Sequence, residues 1–160
     1  MCADCGCNVV RGHVLEKCTN PECCCVGLPV RTIDTLTDEV RHAVETVDLV
    51  AIAALLAPDA RWGVPGQKVP TCRNSQQILS WYEMARDNGA RADITEIVIE
   101  GNNIVVALKV LNAKAPSKAP NSERWQVLSV DGGLVAEIRG YETRHEALEY
   151  AKSGVSQWRA

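Results

Sequence analysis

The chain has 160 residues, a net charge of −3, 46% hydrophobic and 23% charged residues, the composition of a globular domain and not of a disordered chain. No apolar run approaches the ~18–20 residues that cross a bilayer, no basic and apolar leader opens the sequence, and the acidic balance argues against a nucleic-acid partner. A cytoplasmic protein with reduced thiols is the expectation.

The first segment, residues 1–30, holds seven of the eight cysteines; the eighth is Cys72. A chain of this length buries a core without covalent help, so the clustered thiols are a local feature. Cys2-Ala-Asp-Cys5-Gly-Cys7 is a C-x-x-C-x-C run, followed by His13, Cys18 and the triple Cys23-Cys24-Cys25. C-x-x-C spacing lets one tight turn bring two thiolates to one tetrahedral ion. Gly6 relaxes that turn. Cys2, Cys5, Cys7, His13, Cys18, Cys23, Cys24 and Cys25 are eight ligands, the number that fills two separate tetrahedral sites. Thiolate and imidazole favour zinc, one or two ions, with Cu(I) or nickel as second choices; calcium and magnesium want oxygen. A zinc staple, metal storage or delivery, and a redox role through reversible disulfides all stay open.

The run MCADCGC resembles the N-terminus of the hydrogenase nickel-incorporation GTPases. That implies nickel at Cys2, Cys5 and Cys7, although the P-loop of those proteins is missing. The mixture of C-x-C, C-x-x-C, vicinal Cys and His also resembles bacterial metallothioneins.

From Thr32 the pattern turns periodic. Leu36, Val40, Val44 and Val47 predict an amphipathic helix, capped at Thr35 with Asp38 following. Asp48 caps a second helix over 49–57, stopped by Pro58. A strand over 60–64 ends in a Pro65-Gly66 turn. Asn74 or Ser75 starts a third helix reaching Arg86, with Ile78, Trp81, Tyr82 and Ala85 as its buried side and Gly89 as its stop. The period then changes to two. Strands over 92–100 and 103–111 flank Gly101-Asn102, residues 113–122 read as a loop, and strands over 124–130 and 134–141 flank Asp131-Gly132-Gly133. A helix over 143–153 and a tail over 154–160 finish the chain.

Helices followed by hairpins give an α+β fold. The stretches VDLVAIAALLAPDARWGVPG, CRNSQQILSWYEMAR and RWQVLSVDGGLVAEIRGYETRHEAL resemble the SnoaL-like members of the nuclear transport factor 2 superfamily over residues 32–153. The resemblance implies a cone-shaped, curved antiparallel sheet packed on three helices around a pocket for a small apolar ligand. It also implies a homodimer through the outer sheet face.

Fold alone does not fix function. Enzymes of this superfamily need an acid or base in a dry pocket. Strict alternation puts Leu134, Ala136, Ile138 and Gly140 on the pocket side of the last strand, and Glu137 and Arg139 on a solvated face. Glycine at position 140 stands where many relatives carry an aspartate. Trp62, Trp81, Tyr82, Ile138 and Gly140 are the expected pocket residues, with Asp59, Arg61, Glu96, Gln126 and Arg139 as polar candidates at its mouth. Trp62, Trp81 and Trp125 are expected to fill a core that has no phenylalanine, Cys72 to pack as a small hydrophobe, and His42 and His145 to be solvated without partners. A metal-binding protein with a non-catalytic ligand-binding or dimerisation domain is the leading reading. An isomerase, cyclase or dehydratase with a structural metal segment is the alternative.

Overall fold

The computed structural model describes residues 6–23, 25, 27–64, 66–112, 123–154, 156 and 158. The expectations that fall on Cys2, Cys5, Cys24, Pro65 and residues 113–122 lie outside the described residues.

Helix α1 (Ile33–Thr46) begins earlier than expected, because the Thr32 hydroxyl accepts the Thr35 backbone N–H and takes the cap position that the sequence pattern assigned to Thr35. Its buried stripe is Leu36, Val40 and Ala43. Helix α2 (Leu49–Leu55) is capped by Asp48, which accepts from the N–H groups of Val50 and Ala51. It stops two residues short of the expected end, and strand β3 (Leu56–Gly63) follows at once. Pro58 therefore sits in a strand. It is tolerated because β3 is an edge strand whose pairing is irregular between Leu56 and Arg61. Helix α3 (Ser75–Asp87) is capped by Asn74 as expected.

Strands β4 (Ala90–Glu100), β5 (Asn103–Asn112), β6 (Glu123–Asp131) and β7 (Leu134–Tyr141) form an antiparallel meander, and the five-stranded order is β3-β7-β6-β5-β4. The sheet is not wholly antiparallel, since β3 pairs with β7 in parallel. The main core lies between the concave face and α1–α3, with Leu36, Val40, Ile52, Leu55 and Ile78 against Ile104, Val106, Leu108, Leu128, Val135 and Ile138. Helix α4 (Arg144–Ser153) packs on the other face, where Ala147 and Ala151 cover Val105, Ala107, Trp125 and Val127. The fold is thus α+β, with four helices among the described residues, and the sheet face expected to serve as a dimer platform carries α4.

Strict alternation fails in β7. Ser129 pairs with Glu137 but Val130 pairs with Val135, so a bulge sits at Ala136. Val135 and Ile138 both join the inner core. Glu137 and Arg139 do point away from it, yet they are only 2% and 3% exposed. Tyr150 of α4 and the tail residues Ser156 and Trp158 cover them. Arg139 lies between the rings of Tyr150 and Trp158, 4.8 and 3.9 Å from the centroids. The Ser156 hydroxyl donates to Glu137.

The N-terminal segment packs on the body. Strands β1 (Val9–Val10) and β2 (His13–Val14) form a short hairpin. The Val14 N–H donates to the Pro29 carbonyl at 3.0 Å, and the Arg31 N–H to the Val14 carbonyl at 2.8 Å. The buried Arg31 guanidinium then donates to the carbonyls of Ala54 (2.8 Å) and Gly133 (3.3 Å) and pairs with Glu39 at 2.5 Å.

Candidate functional site

Between α3 and the concave sheet lies a cavity of about 130 Å³ lined by Trp62, Ile78, Trp81, Tyr82, Ala85, Gln126 and Ile138. A smaller void of about 20 Å³ continues it inward past Tyr82, Gln126 and Ile138 to Val40, Ile52, Leu55 and Val135. The inner void takes about one water, the outer several. Each wall has a local cause. β3 and residue 72 are bridged by two backbone hydrogen bonds, Trp62 N–H to Cys72 carbonyl at 3.0 Å and the reverse at 2.9 Å, which fix Trp62. The 3.6-residue period of α3 turns Ile78, Trp81, Tyr82 and Ala85 to one side. The register of β6 and β7 puts Gln126 opposite Gly140.

Trp81 does not fill the core. It is 48% exposed and stands edge-on to Trp62, with ring centroids 5.0 Å apart at 62°. A helix on the sheet margin leaves the outer half of its large side chains uncovered, so Trp81 forms the rim of the cavity. Gly140 is displaced as well. It lines a neighbouring cavity of about 420 Å³ with Val64, Arg124, Trp125 and Tyr141, which shares Trp62 and Gln126 with the first. A Cβ built on Gly140 meets only Val64 Cγ1, at 4.0 Å.

Among the described residues lining the first cavity, Tyr82 and Gln126 supply the hydrogen-bonding groups besides the indoles, and no carboxylate or imidazole is present. Burial pushes the Tyr82 phenol up to about 12, so it is a neutral donor and acceptor. An apolar ligand with one or two hydrogen-bonding atoms suits these walls. Gln126 belongs to the wall, not the mouth. Its place on the same β6 face as Leu128 was the available signal.

Other candidates fall elsewhere. Glu96 pairs with Arg144 of α4 at 2.9 Å, and hydrogen bonding from that guanidinium holds its carboxyl below the usual range. Arg139 is on the α4 face. Cys72 is buried in the main core, as expected, and burial raises its thiol. The two surface histidines have neighbours after all: His42 faces Asp48 at 3.8 Å and His145 faces Glu149 at 3.3 Å.

The sulfurs of Cys7, Cys18 and Cys25 lie within 4.8 Å of one another. Cys23 Sγ is 3.2 Å from Cys25 Sγ. Cys18, Cys23 and Cys25 are buried under Val14 and Leu28. Backbone turns place them: Cys23 N–H bonds the Asn20 carbonyl and Leu28 N–H the Cys25 carbonyl, both at 3.1 Å. Gly6 takes a positive φ of 73° just before Cys7, a conformation that glycine adopts without steric cost. His13 is not in the three-sulfur group; its Nδ1 faces the Arg11 carbonyl at 3.2 Å.

With this geometry in view, the comparisons are consistent. The SnoaL-like domain profile matches residues 37–138, more than half of the chain, and the protein belongs to that family. The match leaves the Cys-rich segment outside it. No curated protein matches the sequence. Among solved structures, an NTF2-like protein of unknown function from Burkholderia pseudomallei K96243 aligns with a TM-score of 0.55 at 19% identity, over 75% of this chain and 97% of the other. An LEH-like epoxide hydrolase of M. tuberculosis aligns with a TM-score of 0.53 at 16% identity, over 71% and 84%. A de novo designed protein with a curved β-sheet gives 0.56 at 17%, over 75% and 96%. At such identities the likeness is one of fold. No helix among the described residues is long and apolar enough to cross a membrane.

Proposed function

We propose that the protein binds a transition-metal ion, zinc before Cu(I) or nickel, through its N-terminal thiols, and a small apolar ligand in the α3–sheet cavity without converting it. The observation that carries the metal reading is the convergence of the Cys7, Cys18 and Cys25 sulfurs in a buried pocket. Thiolates on one ion at about 2.3 Å sit about 3.8 Å from each other in a tetrahedron, a spacing within the observed limit. The segment's other thiols and His13 complete the ligand pool in the sequence. Binding without chemistry is supported by the cavity wall, whose polar groups are a neutral phenol and an amide. Neither takes a proton near neutral pH.

The alternative, an isomerase, cyclase or dehydratase, draws support only from family membership. It would need an acid or base supplied by the ligand, by residues outside the described set, or by Glu142 or Glu146, which line the neighbouring cavity. A reducing cytoplasm would keep the thiols available for metal. The homodimer is retained as a proposal, tested by sedimentation; with α4 over the sheet centre, contacts would have to come from other surfaces.

The experiment is elemental analysis of protein purified reduced and without chelator, alongside a thiol titration. At least one equivalent of zinc, with thiols masked until the metal is removed, is the expected result. Less than about half an equivalent of any transition metal overturns the reading.

A further inference from the structure

We infer that the metal site is a closed, single-ion centre with Cys7, Cys18, Cys23 and Cys25 as its four ligands, and that its ion fastens the N-terminal segment to the body. This rests on the metal-binding reading above and specifies its ligands, its stoichiometry and its role.

A structural zinc ion takes four protein ligands in a tetrahedron. The Cys7, Cys18 and Cys25 sulfurs, all within 4.8 Å of one another, supply three. Of the segment's described thiols and imidazole, Cys23 and His13 remain for the fourth position. Cys23 already meets the trio at Cys25, sulfur to sulfur at 3.2 Å. The His13 Nδ1 is instead at hydrogen-bond distance from the Arg11 carbonyl. Cys23 is therefore the fourth ligand, and one ion uses every described thiol of the segment. Each thiol releases its proton to solvent as the metal binds; no electron moves and no oxidant is needed.

The surroundings define the role. Cys18, Cys23 and Cys25 are buried together with Val14, and Cys7 and Leu28 pack against them. Four thiolates in such a place leave no coordination position for water or substrate, the mark of a structural site and not of a catalytic one. The ligands also bracket the β1–β2 hairpin, with Cys7 before it and the other three after it. One ion thus closes the chain around the hairpin. Val14 passes this restraint to the body. Its N–H donates to the Pro29 carbonyl and its carbonyl accepts the Arg31 N–H. The Arg31 side chain in turn reaches Glu39 on α1 and Ala54 on α2.

The test is zinc-edge X-ray absorption and elemental analysis of the full chain loaded with zinc under reducing conditions. The expected result is one zinc per chain, with four sulfurs at about 2.3 Å and no nitrogen at about 2.0 Å. His13→Ala, and the combined change of Cys2, Cys5 and Cys24 to Ser, should leave both results in place. Cys23→Ser should lose the zinc or one sulfur of its shell; where it does not fold, the combined variant carries the test. Stripping the zinc should lower the thermal midpoint of the body's helices, followed by circular dichroism, by about 10 °C, and zinc should restore it. Two ions per chain, a nitrogen in the shell, loss of zinc in the combined variant, or four sulfurs retained in Cys23→Ser overturns the ligand set. An unchanged midpoint overturns the fastening role. Each of these leaves the metal-binding reading standing, whereas no bound zinc at all overturns both.

Discussion

The guanidinium of Arg139 lies 3.9 Å from the ring centroid of Trp158, and the Trp158 indole N–H donates to the Gln67 carbonyl at 3.0 Å. One tail residue thereby covers a buried cation on β7 and also holds the loop that follows β3. Trp158→Ala should cost about 3 kcal/mol or more, in the range for deleting a buried aromatic. Urea denaturation would measure it. A loss below about 1 kcal/mol would mean that the tail does not seal this face in solution.

Arg139→Met tests the same region from below. Glu137 Oε2 is 3.9 Å from Arg139 Nε, and both side chains are buried. Removing one member of a buried pair typically costs about 3–5 kcal/mol, because the remaining charge stays desolvated. The double change Glu137→Gln with Arg139→Met should recover much of that loss, as a double-mutant cycle in urea would show.

Gly63 is tight against the same ring. A Cβ there falls 2.8 Å from the Trp158 ring and 2.5 Å from Gln67 Oε1. Gly63→Ala should destabilise by about 1–3 kcal/mol through overpacking, and tryptophan fluorescence should shift to the red as Trp158 is displaced.

Gly140 makes the opposite prediction. Its Cβ direction is open, so Gly140→Asp should fold with a Tm within a few degrees of the parent. It would add a carboxyl opposite Gln126, in a cavity that already carries Arg124, Glu142 and Glu146. Titration of the new carboxyl by NMR should place it above the ordinary aspartate range, since burial disfavours its charge. An ordinary or lowered value would show that the neighbouring cavity is well hydrated.

Alkaline stability should report on Tyr82. Its phenol is raised from 10.0 to about 12 by burial, so the folded state binds this proton more tightly than the unfolded chain. The associated stabilisation is fully present below pH 10 and is lost as pH rises through about 12. Tyr141 carries a similar shift, also led by burial. The fall in denaturation midpoint over that window should be shallower in Tyr82→Phe than in the parent; equal slopes would place the phenol in contact with water.

Much of the scaffold was legible because its signals are local. The Asn74 cap, the Gly101-Asn102 turn and the two-residue period of β4–β7 each depend on a few neighbouring residues. What escaped depended on partners distant in sequence. Strict alternation through β7 could not reveal the bulge at Ala136, which appears only when β7 is set against β6. Glu137 and Arg139 read as surface residues because the tail that buries them lies 17 or more positions further on. Pro58 looked like a helix stop, and only the parallel edge pairing of β3 gives it a place inside a strand. For the candidate site, the thiols were visible from composition and spacing, whereas their grouping around Cys25 depends on the turns at Asn20 and Leu28. Trp62, Tyr82 and Ile138 were found as cavity residues. Trp81 was found as well, though as rim and not core.

Arg31 has a consequence for any attempt to shorten the chain. By composition the segments divide near residue 30, and a trimmed version starting at Thr32 would look natural. Such a trim would leave the carbonyls of Ala54 and Gly133, and the Glu39 carboxylate, without the donors that Arg31 now supplies. Those three groups lie on α2, the β6–β7 turn and α1. The severable boundary therefore falls before Arg31, and the residue that looks like a linker belongs physically to the body it introduces.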